Sequence, residues 1–276
     1  MIEEYLSEKY KKKQRRRRFF WGTAAGFSTG IVLLGAFWVV VESPLFHIDR
    51  FVITGNQVVA SSDIMALLQS DAAAHRTFWS SLLGMRNLLI WPNAIATSEA
   101  ASIPEVASIS LEKDYGNHTL VASVTERKPL AIWCEMPPND ASGNPSGNES
   151  CFWFDDTGTL FARAFDTAGP EIYAVHDYSG TGLSINGKIL PDAFVENMVS
   201  ILDALRQSGI VVKEIALNNL ALQEIDVTTY NGPTLYFSLR FSALEDLPVL
   251  QDFMAKPNFD SLQYVDFRTE NRAYYK

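Results

Sequence analysis

The sequence predicts an α+β protein: a single N-terminal transmembrane helix, a first module ordered β-α-α-β-β, then a mixed α/β domain with a largely antiparallel sheet. Three observations predict it. A basic run, KKKQRRRR, leads directly into 23 residues without a charge, Phe19 to Val41. The chain beyond has ordinary globular composition and many short segments that alternate apolar and polar residues, the signature of half-buried strands. One late segment instead repeats its apolar residues at helical spacing.

The uncharged segment is long enough, at roughly 34 Å as a helix, to cross a bilayer core once with some tilt. Trp21 and Trp38 lie near its ends, where amphipathic rings favour the headgroup layer. A secretory signal peptide also begins basic and turns apolar, but its apolar region is shorter and ends at a small-residue cleavage site, whereas this run continues into VVVESPL. An uncleaved anchor is therefore expected. Residues 1–18 hold eight Lys or Arg against three acidic residues, while the 235 residues after Val41 hold fifteen against twenty-nine. The positive-inside rule puts the N-terminus in the cytoplasm and the large C-terminal part outside it. A net charge of about −14 on that part argues against a nucleic-acid or anionic-lipid surface, and the basic cluster beside the span is a topology signal.

Within the anchor Gly22, Gly26 and Gly30 are four apart, so one helix face is flat and suits close packing of a partner helix. Glycine is also common in membrane spans generally, which is the alternative account of the spacing.

After the anchor, Phe46 to Ile53 is a mostly extended apolar run that ends at the turn pair Gly55-Asn56. Ser61 or Ser62 is placed to cap a short helix carrying Ile64, Leu67 and Leu68. Residues 71–91, rich in leucine and aromatics, are read as an apolar loop or partial helix laid on the domain. A small-residue helix from Pro92 to about Ser102 leads to a strand bearing Ala107, Ile109 and Leu111, a Gly116-Asn117 turn, and a strand bearing Leu120, Ala122 and Val124.

Cys134 and Cys151, the two cysteines, flank EMPPNDASGNPSGNES, a Pro/Gly/Asn/Ser segment that reads as a solvated hairpin tip. The apolar flanks suit paired strands, so a disulfide across the base of the loop is expected; the alternative is a pair of buried free thiols. No His or further Cys accompanies them, which argues against a metal site. Farther on, Asp192 to Gln207 places Phe194, Met198, Ile201, Leu202 and Leu205 on one helix face, with Gly209 as its C′ residue. Strands follow around Val211 to Leu217, Gln223 to Thr229 and Thr234 to Phe241, the last two joined at Asn231-Gly232. A final helix to about Met254 has Ser242 and Glu245 as a candidate capping box, with Pro248 able to shift its start to Asp246.

The segments IDRFVITGN, IPEVASISLEK and TLVASVTERKPLAIW resemble the POTRA domain and the ER-x-P-x-A-x-W junction of the FtsQ/DivIB family of bacterial cell-division proteins, with the junction at Glu126 to Trp133. CFWFDDTGTLFARA is similar to that family's D-x-x-G hairpin through Asp155, Gly158 and Phe161. LQYVDFRTENRAYYK is similar to its closing strand through Tyr264, Val265, Asp266, Phe267 and Arg268. Each motif is weak alone, and their succession behind one N-terminal anchor is what is specific. The apolar stretch at 71–91 and the cysteine-flanked loop depart from the common pattern.

The resemblance implies a cytoplasmic tail (1–18), a transmembrane helix (19–41), a POTRA-like domain (46–126) and an FtsQ-type β domain (127–276). It implies a non-catalytic scaffold in the cell membrane, at the division site, without a cofactor. Bitopic partners of the FtsB/FtsL type would add a strand to its C-terminal edge, and other divisome proteins would dock on the POTRA-like domain. The contact residues would then be Phe267, Arg268, Thr269, Asn271, Arg272, Ala273, Tyr274 and Tyr275; the alternative is that Phe267, Tyr274 and Tyr275 only finish the core or fray as a terminus. The alternative is a POTRA-bearing component of an envelope secretion or assembly apparatus, which would usually repeat that module or end in a barrel.

The residues themselves offer little for catalysis. His47, His75, His118 and His176 are scattered without metal-ligand spacing, and GTGLS at 180–184 is neither a nucleophile elbow nor a dinucleotide loop. Asp155 and Asp156 are adjacent, so on a strand they would point to opposite faces, and D-D-T-G is ordinary turn chemistry. Two sequons, at Asn117 and Asn148, are read as turn residues.

Overall fold

A computed structural model describes residues 2–75, 77–137, 149–165, 172–180 and 182–276. The chain is mixed α+β and forms two compact units, one of residues 1–56, 60–95 and 109–124, the other of residues 57–59, 96–108 and 125–276. The tip of the cysteine-flanked loop, residues 138–148, lies outside the described residues, as do Asn148 of the second sequon and one residue of GTGLS.

The first unit begins with helix α1 (Ile2–Glu42), whose stretch Arg18–Val41 is long and apolar enough to cross a membrane. Hydroxyls inside that stretch bond to its own backbone: Thr23 donates to the Phe19 and Phe20 carbonyls and Thr29 to the Ala25 carbonyl. That lowers the cost of carrying them into hydrocarbon. Ser43 then caps a 3₁₀ turn, Pro44–Phe46, which takes in only Phe46 of the expected extended run, and strand β1 occupies Arg50–Thr54.

Helix α2 runs Ser61–Ala74, longer than expected because alanines continue it, and its N-cap is Ala60 rather than a serine. The 71–91 stretch resolves into the end of α2, a short helix α3 (Phe78–Leu83) and a 3₁₀ turn, Leu88–Ile90. Thr77 starts α3 with a capping box in which its hydroxyl accepts from Ser80 N and the Ser80 hydroxyl accepts from Thr77 N.

The small-residue helix reduces to α4 (Thr97–Ala100), and β2 (Val106–Asp114) and β3 (Thr119–Glu126) follow. β1 lies parallel to β3 in a three-stranded sheet ordered β1-β3-β2. Gly55 ends β1 at φ +84°, and a Cβ there would come 2.2 Å from the Val124 carbonyl oxygen, so only glycine fits this approach.

In the second unit, β4 (Ala131–Glu135), β5 (Ser150–Phe154), β6 (Leu160–Ala164), β7 (Ala174–Asp177), β8 (Val212–Leu217), β9 (Glu224–Thr229), β10 (Thr234–Ser238), β11 (Tyr264–Thr269) and β12 (Arg272–Tyr275) form one sheet. Its order is β12-β11-β10-β9-β8-β7-β4-β5-β6. Most neighbours are antiparallel, and β10–β11, β7–β8 and β4–β7 are parallel.

Helix α5 (Asp192–Ser208) buries Met198, Ile201, Leu202 and Leu205 in the same core as Trp133, Phe154, Val175, Ile215, Val227 and Phe237. Gly209 closes it in the left-handed conformation at φ 72°. Ser242 caps only a 3₁₀ turn, Ala243–Glu245, because Pro248 fits the first turn of a helix but not its interior. Helix α6 therefore begins at Leu247 and runs to Met254.

Candidate functional site

The last fourteen residues fold as two strands rather than one. Between β11 and β12 the chain reverses at Glu270-Asn271, with Asn271 at φ 58°, a left-handed position that asparagine tolerates better than most residues. The antiparallel register pairs Val265 with Tyr275, Asp266 with Tyr274 and Thr269 with Arg272, with a bulge on β11 between Asp266 and Thr269. β11 is an interior strand, paired on its other side with β10, and β12 ends the sheet order.

This placement corrects part of the expected contact set. Phe267 is fully buried and stacks on Phe237 at 5.4 Å between ring centroids, so its side chain belongs to the core and is not on the edge. Arg268 is committed elsewhere: its guanidinium reaches Asp266 at 2.7 Å and Glu224 at 2.8 Å and lies over the Tyr236 ring. The Arg268 hydrogen bond holds the Asp266 carboxyl below the usual range, and the same contact raises the guanidinium. Asp226, on the same sheet face, is pushed up by burial although Asn218 donates to it at 2.7 Å. These side chains fix the outer face of β9, β10 and β11. The residues left at the edge itself are Arg272, Ala273, Tyr274 and Tyr275, with Thr269 and Asn271 bounding the hairpin turn.

The edge strand is held firmly for its position. Tyr275 packs edge-on against Phe253 of α6 at 5.0 Å, Lys256 lies 4.1 Å from the Phe253 ring centroid, and Ala273 rests against the main core. Tyr274 and Arg272 are exposed. Lys276 N donates inward to the Tyr264 carbonyl, so strand alternation turns the N–H and C=O of Ala273 and Tyr275 away from β11. Among the described residues no strand lies beyond them. Chemically, the edge presents main-chain donors and acceptors in register, flanked by two tyrosines and two basic side chains. That is the equipment for pairing with an extended segment. The sequence signal missed was Glu270-Asn271, a turn inside what looked like one strand and its extension.

The remaining candidates sit elsewhere. A Cβ added to Gly22, Gly26 or Gly30 would meet nothing within 4 Å, so that stripe of α1 is uncovered. Cys134 and Cys151 are directly opposite in the β4–β5 ladder and are joined as a disulfide. Asp155 is a structural carboxylate: it accepts from Thr157 N, the Thr157 hydroxyl and Thr159 N, and it pairs with Arg127. Trp133 of the junction is buried and donates to the buried Asp177 carboxylate at 3.3 Å. Glu126 accepts from the backbone N–H groups of Gln57, Val58 and Val59. Burial opposes its ionisation, but those three donors outweigh burial and hold its carboxyl low. A cleft within the second unit is lined by Thr97, Arg127, Lys128, Asp156 and Lys188, where Lys188 donates to the Thr157 carbonyl. No family model and no curated protein matches this chain.

Proposed function

We propose that this protein is a non-catalytic bitopic scaffold of the bacterial division machinery. Anchored by α1 with its N-terminus in the cytoplasm, it captures a bitopic partner of the FtsB/FtsL type by strand addition at β12. The observation that carries this reading is the open edge: Ala273 and Tyr275 turn main-chain groups outward, and α6 and the core hold the strand in place.

An unpaired edge is an aggregation hazard, and a resident partner strand removes it. The order of the motifs supports the same reading. Arg127 of the junction and Asp155 of the D-x-x-G hairpin, separate in sequence, meet in the fold. On this account residues 46–126 form a POTRA-like docking module and residues 127–276 the partner-binding domain. Confinement of both chains to one membrane raises their effective concentration, so a modest edge contact suffices.

The test is photocrosslinking in cells from Arg272 and Tyr274, with Glu112 as an exposed control. Capture of a small single-span protein at midcell from the first two positions alone supports the proposal. Equal capture from Glu112, or a uniform envelope distribution, overturns it.

A further inference from the structure

The first unit carries a second apolar surface, on the segment that joins α3 to the 3₁₀ turn at Leu88–Ile90. Two buried side chains pin that segment: Leu88 is fully enclosed, and Trp91 packs edge-on against Phe51 while its Nε1 donates to the Met85 carbonyl. With those anchors turned inward, Leu82, Met85 and Leu89 remain 40%, 37% and 41% exposed, and Leu45 more so at 61%. Single exposed apolar residues are ordinary in soluble proteins. Leu82, Met85 and Leu89, three within eight residues and held outward by fixed anchors, need an apolar neighbour.

The fold says where that neighbour is. Buried Asn87 donates from Nδ2 to the Val40 carbonyl at 3.3 Å, and Ile48 N donates to the Arg86 carbonyl, so the segment is tied to the end of α1. Val40 lies one residue from the end of the membrane-crossing stretch, whose 24 residues span about 36 Å against a hydrocarbon core of about 30 Å. Its carbonyl therefore stands at the boundary of that core. Met85 and Leu89 are each two residues from Asn87, within about 7 Å of chain, and the headgroup layer is of similar depth. The sequence adds an independent mark: residues 72–98 contain no Asp or Glu, although the 235 residues after Val41 hold twenty-nine. An acid-free apolar stretch suits a surface of phospholipid headgroups, and the exposed Arg86 suits their phosphates.

The geometry points to a second membrane contact: the α3–Ile90 segment lies in the outer headgroup layer with Leu82, Met85 and Leu89 seated among the lipids. This overrides, for one local face, the aversion to lipid that the net charge of the exported part implies. It also fixes the orientation of the first unit on the bilayer, since one helix alone would leave that unit free to swing. The inference rests on α1 being a membrane anchor.

The test uses the full-length chain, whose two native cysteines are joined and do not compete for labels. Single nitroxide labels are placed at Leu82, Met85 and Leu89, with Leu33 as the reference inside the span and Glu112 as the reference in water. The protein is reconstituted alone into vesicles of phosphatidylethanolamine and phosphatidylglycerol. Collision with oxygen is compared with collision with a water-soluble nickel chelate. The three labels are expected to favour oxygen, at values between those of Leu33 and Glu112. Values equal to Glu112 while Leu33 reports hydrocarbon overturn the inference, including the case where shielding appears only after another protein is added. A water-like value at Leu33 overturns the anchor reading itself.

Discussion

Arg127 Nη1 and Asp155 Oδ2 meet at 2.5 Å across 28 residues of sequence, with both side chains nearly buried. Arg127 also donates from Nε to the Pro104 carbonyl, so it ties the turn before β2 to the β5–β6 hairpin. Burial disfavours the Asp155 charge, but hydrogen bonds from Thr157, Thr159 and Arg127 prevail and hold its carboxyl below the usual range. Asp155→Ala would leave the guanidinium enclosed without its partner, at a cost of roughly 3 kcal/mol. Urea unfolding of the detergent-solubilised protein measures it, and a midpoint equal to wild type would refute the structural role.

Asp246 behaves in the opposite sense. Burial, and then the neighbouring Glu245, push its carboxyl up to about 6. Between about pH 4 and 6 the folded state therefore keeps a proton that the unfolded chain has released, so this group's contribution falls as pH rises through that window. Above it the charge is a standing penalty on the order of 3 kcal/mol. Asp246→Asn should raise stability at pH 7.5 while changing it little at pH 4. Denaturation at the two pH values checks this, and the difference between variant and wild type cancels the opposite trends of Asp155 and Asp266, whose carboxyls are held low.

The Cys134–Cys151 disulfide closes a segment of sequence separation 17. Chain entropy makes such a closure worth about 3 kcal/mol. Replacing both cysteines by alanine should lower stability by about that amount, read from the urea midpoint. Both sulfurs sit in a small apolar cluster with Ile132 and Ala174, so reductant should act slowly on the folded protein and quickly once urea is added. Rapid reduction of the native state would contradict the burial.

Much of the fold was legible because it rests on local periodicity. The spacing of Met198, Ile201, Leu202 and Leu205 ahead of Gly209 defined α5, and alternation at Leu120, Ala122 and Val124 defined β3. The cysteine pairing followed from apolar flanks on either side of a turn-rich loop. What stayed hidden depended on non-local partners. Phe267 and Tyr275 look alike in sequence, yet one stacks on Phe237 inside the sheet and the other lies at its edge, because β11 pairs in parallel with a strand that precedes α6. The 71–91 stretch was opaque because its exposed and buried leucines follow no single period, and the Thr77–Ser80 cap, which uses two short hydroxyl side chains, lacks the usual Glu or Gln.

Strand addition at β12, as proposed, depends on main-chain groups that face away from β11, and Ala273→Pro removes one of them. Proline at an edge position whose N–H faces away from the sheet removes a donor for an incoming strand without breaking a bond to β11. This variant should unfold within about 1 kcal/mol of wild type, the range of a tolerated edge proline, yet lose copurification of the proposed bitopic partner from solubilised membranes. Undiminished copurification by a folded Ala273→Pro protein would contradict strand addition at β12.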